Sequence, residues 1–275
     1  MNGLVPVLLT SFLGACLGAV AGSFLNVVIH RVPRLIDAGD GRVSVTTYVS
    51  GLAWPPSHCP GCGHHLKLRD NVPILSYLAL GGRCRFCRAS FGARYLIVEL
   101  LAATAFAYCT WMFGLTPKAF LGATFIAALV ALSVIDIEEQ LLPDAVLAPL
   151  FCLGLAFHSL YAGGLIDSAL GAAAGYAVLW LIRESYRLYA GSEGMGYGDV
   201  KLAAVIGVWV GIDTIPAVLF VAFAAGVALM VPLTLLGRVG KGVPVPFGPF
   251  LAFGGLCGFL VPKLGAIGAS VLFPT

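Results

Sequence analysis

Two aspartates at the edges of apolar runs and two pairs of cysteines in a polar stretch are the residues of this chain whose types and spacing suit chemistry. Asp136 follows the apolar run 125–135 in Ile135-Asp136-Ile137-Glu138-Glu139-Gln140-Leu141-Leu142-Pro143-Asp144. Asp199 lies in Glu193-Gly194-Met195-Gly196-Tyr197-Gly198-Asp199-Val200-Lys201-Leu202. An aspartate in or at a membrane helix is expensive and marks a functional site by default. Two at one depth can share a proton, one acting as general base toward water and the other as general acid toward a scissile carbonyl. Glycines at 194, 196 and 198 free the backbone for unusual dihedrals and let a substrate strand come close. Structural readings stand beside this one. Asp199 opens a helix, where an N-cap carboxylate meets free N–H groups and the helix dipole. Asp144, just after Pro143, reads as an N-cap, and Glu138 and Glu139 read as solvated interfacial charges. Spacing leaves both readings of the pair open.

The cysteines form Cys59-Pro-Gly-Cys62 and, after 21 residues, Cys84-Arg-Phe-Cys87. Two such knuckles suit one tetrahedral zinc with four thiolates, each knuckle supplying two ligands from a tight turn. Bound zinc would order a loop that has little apolar content of its own. Two disulfides or four free thiols are the alternatives, and a reducing cytoplasm disfavours the disulfides. Four cysteines close the shell, so the metal is expected to be structural, with His58, His64 and His65 solvated or behind the ligands. Cys16, Cys109, Cys152 and Cys257 are scattered through apolar stretches and read as small buried hydrophobes.

The elements that must position these groups are set by composition. Of 275 residues, 59% are hydrophobic and 11% charged, with a mean hydropathy of +0.96. A soluble domain carries roughly 25% charged residues, so the solvent for most of this chain is lipid. Disordered, collagen-like and disulfide-stapled classes are excluded. The 35 glycines and 16 prolines are compatible with membrane helices. Spans of about 20 apolar residues are expected near 4–29, 95–113, 119–137, 144–161, 165–182, 200–212 (short), 214–236 and 247–272, with no internal repeat. The first lacks a positive n-region and is too long for a signal h-region, so it reads as a retained helix. The fold class is an all-α polytopic membrane protein of about eight transmembrane helices. Its expected parts are a first helix (1–30), a cytoplasmic zinc-binding loop domain (31–94) and a multi-helix membrane domain (95–275).

Residues 30–94 hold nine of the 16 Lys and Arg against three acids. That charge is too diffuse, and too poor in interleaved aromatics, for a nucleic-acid surface; it reads as a cytoplasmic loop. Threading from it puts Arg183, Arg187, Lys201, Arg238 and Lys241 inside as well, with Lys118 and Lys263 outside. Both termini then lie outside, and Asp136 and Asp199 lie at the cytoplasmic ends of the third and sixth helices.

Taken in order, Gly22-Ser23-Phe24-Leu25-Asn26-Val27-Val28-Ile29-His30-Arg31-Val32-Pro33, the two knuckles, Arg69-Asp70-Asn71-Val72-Pro73-Ile74-Leu75-Ser76-Tyr77 and Arg94-Tyr95…Glu99 resemble the N-terminal part of bacterial type IV prepilin peptidases. Asp136…Leu142-Pro143-Asp144, Gly196-Tyr197-Gly198-Asp199-Val200-Lys201 and Val245-Pro246-Phe247-Gly248-Pro249 complete the pattern over nearly the whole chain. The Gly-x-Gly-Asp motif is also similar to that of presenilin-like proteases. The resemblance implies a bacterial inner-membrane aspartic endopeptidase for prepilins and pseudopilins of type IV pili or type II secretion. It would cut after a glycine that ends a basic leader, with Asp136 and Asp199 catalytic and Gly196, Gly198, Lys201 and Asp144 as motif support. Where many members carry Asp two residues after the first catalytic one, this chain has Glu138.

The resemblance further implies methylation of the new N terminus from S-adenosylmethionine, an activity associated with the zinc-knuckle loop. That loop is too short for a Rossmann methyltransferase and lacks a strand followed by G-x-G-x-x-G. Residues 22–33 and 69–77 are where a donor site is first sought, packing of the loop against the first two helices being the equal alternative. Glu138, Glu139, Glu193 and Asp144 are candidates to attract a basic leader. Two other functions fit the apolar acids: an ion-coupled transporter, which favours midplane acids and inverted repeats, and an assembly scaffold with a structural zinc loop.

Overall fold

The structure, a computed structural model, describes residues 4–39, 44–54, 56–192, 194–238 and 245–261. These residues are helical, without a strand among them. The helices are α1 (Leu4–Ala38), α2 (Val45–Ala53), α3 (Leu75–Leu80), α4 (Arg94–Phe113), α5 (Pro117–Glu139), α6 (Asp144–Tyr161), α7 (Leu165–Ala190), α8 (Tyr197–Val210), α9 (Ile215–Leu235) and α10 (Gly248–Leu260). Six of them, α1, α4, α5, α6, α7 and α9, are long and apolar enough to cross a membrane, while α8 and α10 have 14 and 13 residues. The chain is a multi-pass membrane protein. Lys241, Lys263 and positions 262–272 of the expected last span lie outside the described residues.

Two compact units divide the chain, residues 1–131 and 132–275, with α5 continuing through the boundary. In the first unit α1 packs along α4 through Gly14, Gly18 and Gly22, one residue per turn on a single face. A Cβ on Gly22 would lie 2.7 Å from Glu99 Cα, so only glycine permits this approach. Small residues at such contacts are how membrane helices associate where burial of apolar surface offers little drive. The opposite face of α1 leaves Leu8, Phe12, Leu17, Val20 and Phe24 exposed, as a lipid-facing surface should. Helix α1 runs well past the expected limit near residue 29 and carries His30, Arg31 and Arg34 in helical geometry, where a loop start was expected.

In the second unit α8 packs against α6, α7 and α10. Its partner face on α7 is Gly171 and Gly175, each meeting backbone of Gly207 or Ala203 with no room for a side chain. The buried Trp209 fills the α6–α8 contact, donating its Nε1–H to the Leu150 carbonyl at 2.9 Å and stacking near Phe157 and Phe259. At the far end His158 Nε2 meets Asp167 Oδ2 at 2.6 Å, and Asp167 Oδ1 accepts from Ile212 N–H at 3.1 Å. This tie between α6, α7 and the α8–α9 turn was not legible in the sequence.

The free cysteines need one correction. Cys109 is buried, but Cys16 and Cys152 are exposed and Cys257 is half-buried. An apolar span has a lipid face as well as a packed one, so a small apolar thiol is equally at home on either.

Candidate active site and metal centre

Asp136 sits one turn from the end of α5, and Asp199 in the first turn of α8, both in the second unit. They are 6% and 7% exposed, although each is charged in its ordinary state and neither has an ion-pair partner among the described residues. Their carboxylates lie within electrostatic reach of one another. Both acids singled out by sequence are thus buried in the second unit, with the charge of Asp136 acting on Asp199. Both are met by helix N-termini. Gly248, the first residue of α10, donates its backbone N–H to Asp136 Oδ2 at 2.8 Å. Gly196 is the N-cap of α8, which makes Asp199 the third helical residue and not the cap itself. From that position an acid reaches back to the cap amide, and the Gly196 backbone N–H acts on the Asp199 carboxylate. Asp199 Oδ1 is buried and has no hydrogen-bond partner among the described residues. An acceptor left open in this way is suited to hold a water or a substrate proton.

The glycine-rich segment is positioned by side chains that sequence reasoning missed. Arg183 of α7 donates from Nε to the Met195 carbonyl at 3.2 Å. Tyr197 hydrogen-bonds Tyr176 through their hydroxyls, with Arg183 and Lys201 over its ring, each 5.5 Å from the centroid. Arg183 had served only to orient the chain; its second role follows from α7 being a full helical neighbour of α8. Gly198 lies against Leu142, where an added Cβ would stand 2.8 Å from the Leu142 Cβ. Asp144 is not an N-cap: Pro143 holds that place and Asp144 is the first residue of α6. Both its carboxylate oxygens are 2.8 Å from Lys201 Nζ, a surface pair that ties α6 to α8. Glu138 and Glu139 are exposed, and Glu193 lies outside the described residues.

In the first unit the four cysteines converge. The Sγ atoms of Cys59, Cys62, Cys84 and Cys87 all lie within 4.8 Å of one another, and Cys59 and Cys87 are 3.6 Å apart. A tetrahedral zinc with Zn–S of about 2.3 Å would need sulfurs about 3.8 Å apart, so the donor set fits. The two knuckles are copies related by a shift of 25 residues. Cys59 N–H bonds the His64 carbonyl as Cys84 N–H bonds Ala89, and Gly63 returns to Cys59 as Arg88 returns to Cys84. Isolated bridges pair His58 with His65 and Arg83 with Ser90. The backbone N–H groups of Cys87 and Phe86 point at Cys84 and lower its thiol, while burial and the neighbouring sulfurs raise that of Cys87, so that one sulfur of the cluster favours the thiolate that ligates metal. His58, His64 and His65 are exposed, and His64 stacks on Phe86 at 3.7 Å.

Residues 16–113 match a family model described as the bacterial peptidase A24 N-terminal domain, and residues 123–231 match the type IV leader peptidase family. The chain is 41% identical over 251 residues to the prepilin leader peptidase/N-methyltransferase of Pseudomonas aeruginosa, covering 87% of this chain and 86% of that protein. Like-named proteins of Burkholderia pseudomallei (42% over 256 residues, 87% and 81% covered) and Aeromonas hydrophila (41% over 250, 85% and 84%) are similarly close. No solved structure matches.

Proposed function

We propose, on the premise that this chain belongs to the type IV leader peptidase family, that Asp136 and Asp199 are the acid pair with which it cuts. The chain is a prepilin leader peptidase and N-methyltransferase, an enzyme that removes the leader of type IV prepilins and methylates the new N terminus. The observation that carries the pair is its geometry. Two buried carboxylates from different helices lie within each other's field, one oxygen of Asp136 is held by the Gly248 amide, and Asp199 Oδ1 is left open.

In that arrangement one carboxylate is ionised and takes a proton from water as the water oxygen attacks the scissile carbonyl carbon. The other, protonated, donates to the carbonyl oxygen; as the C–N bond breaks, the first passes the proton it took from water to the leaving nitrogen, and the second takes a proton back from a hydroxyl of the gem-diol. The substrates are prepilins or pseudopilins of a type IV pilus or type II secretion system, cut after the glycine that ends a basic leader. Exposed Glu138 and Glu139 beside Asp136 attract that leader; alanine at both weakens processing without abolishing it, and complete loss would refute this role. The concentration of Lys and Arg in residues 30–94 supports a site opening to the cytoplasmic side of a bacterial inner membrane. A transporter would place its acids at mid-helix, whereas both of these are within a turn of a helix end.

Cys59, Cys62, Cys84 and Cys87 would hold zinc, which supplies folding energy to the loop domain. Methylation draws on S-adenosylmethionine as the methyl donor. The test of the peptidase site is cleavage of a purified prepilin by wild type, Asp136→Asn and Asp199→Asn. Each variant should lose about 10²–10⁴-fold in rate with metal content and helicity unchanged. Wild-type cutting by both variants would refute the acid pair.

A further inference from the structure

The first unit has a half-open cavity of about 490 Å³, within the range of about 300–1,000 Å³ usual for small-molecule sites. Residues from both segments singled out in the sequence, 22–33 and 69–77, line it together with Glu99 and Tyr95 of α4. Asn26 on its wall is 4% exposed. The Asn26 Nδ2 donates to the Tyr95 carbonyl at 3.1 Å. A carbonyl only accepts, so the amide orientation is decided, and Oδ1 is the atom left over. That Oδ1 is buried and has no partner among the described residues. Buried acceptors are almost always paired, so this one lacks an N–H that a ligand can bring.

The backbone held by the lining residue Glu99 is strained. Ile74 has φ 63° and ψ −53°, a left-handed conformation that β-branched residues avoid. It is the centre of a tight three-residue turn closed by Leu75 N–H to the Pro73 carbonyl at 2.6 Å. The turn is held by Glu99, whose Oε2 accepts the Ile74 N–H at 2.7 Å. Strain of this kind persists where surrounding structure insists on it, and it gathers at ligand sites. Glu99 itself is an acid on the wall of the cavity, only 9% exposed. Tyr77 and Trp54 add aromatic faces, while Arg34 and Arg83 add positive charge. The wall therefore offers an acid and ring faces for a cation, an acceptor for an amine, aromatic area for a purine and cations for a carboxylate.

We propose that this cavity is the site for S-adenosylmethionine, with Asn26 Oδ1 accepting an N–H of the donor and Glu99 facing its positive charge. The proposal rests on the methyltransferase reading above and locates it. Neither Asn26 nor Glu99 belongs to the metal ligands or to the acid pair, and the cavity lies wholly within residues 23–99.

The test is equilibrium binding of methyl-labelled S-adenosylmethionine to the purified, metal-loaded, full-length protein in detergent. Wild type should bind saturably and be competed by S-adenosylhomocysteine. Asn26→Ala and Glu99→Gln should each weaken binding at least tenfold with metal content and elution volume unchanged. Wild-type affinity in both folded variants would overturn the site, and a mass gain of one methyl on wild-type cleaved prepilin would show that the methyltransferase reading survives. Should the variants not fold, ultraviolet cross-linking of the labelled donor to wild type decides: label in peptides from residues 23–35 or 54–99 supports the site, and label confined to residues 132–261 overturns it. Wild type that cleaves but neither binds donor nor methylates would overturn both readings and leave the acid pair standing.

Discussion

Gly248 shows how tightly a single residue is constrained at the acid pair. An added Cβ would stand 2.6 Å from Asp136 Oδ2, the atom that its own amide holds. Gly248→Ala must therefore move the carboxylate, and a displacement approaching 1 Å costs about a hundredfold in rate. Prepilin cleavage by this variant should fall by about that factor, with metal binding untouched; a wild-type rate would show that Gly248 does not position Asp136. A different kind of residue effect acts at Asp70. The Arg85 guanidinium, at 2.7 Å, holds this buried carboxyl below its ordinary value of 3.8. A lowered folded value means that the carboxylate stabilises the loop fully above the unfolded value and ceases to do so as pH falls through the folded one. The advantage of wild type over Asp70→Asn, read as resistance of the metal site to chelator, should be full at neutral pH.

At the scale of elements, the two knuckles repeat one backbone design in sequences that share little besides their cysteines. The position after each turn is left-handed, Gly63 at φ 69° and Arg88 at φ 60°. No atom would meet a Cβ on Gly63, so Gly63→Ala tests conformation alone and should cost about 1–2 kcal/mol, measured as earlier release of metal to chelator. Release at the wild-type chelator concentration would refute that. Helix contacts have the opposite requirement. Gly207 of α8 meets the backbone of Gly171 on α7, so Gly207→Leu should lower thermal stability in detergent by at least about 1–3 kcal/mol, through overpacking. An unchanged melting temperature would mean that the two helices separate without cost.

For the molecule as a whole, lipid supports the apolar helices, and a metal at the four cysteines would support the loop. Large apolar side chains on α1, α7 and α9 are exposed because the bilayer, not the protein, solvates them. The segment from 56 to 92 has no such support: its helices are a three-residue turn and the six-residue α3, too short to stand alone. Metal removal should therefore act locally. Chelation, or Cys59→Ser, should open residues 56–92 to proteases while the helix content of the spans persists, as read by peptide mapping beside circular dichroism. Simultaneous loss of both signals would show that the cysteine loop and the membrane helices fold as one.

The sequence alone determined what depends on composition and local spacing. Hydropathy was sufficient for the apolar helices because lipid demands a continuous run of apolar residues with backbone bonds satisfied inside it. The Cys-x-x-Cys spacing was sufficient for the cysteine cluster because each tight turn delivers two sulfurs by itself. Asp136 and Asp199 stood out because isolated acids beside apolar runs are costly. Only tertiary structure decided what depends on long-range approach. It brought Gly248, 112 residues away, to Asp136, paired Asp144 with Lys201 where an N-cap was expected, and joined residues 22–33 and 69–77 around one cavity. Its helix start at Tyr197 made Asp199 the third residue of α8, with Gly196 as the cap. These relations rest on which helix faces meet, and glycine positions decide that through contacts too close for any side chain, a constraint that no local pattern reports.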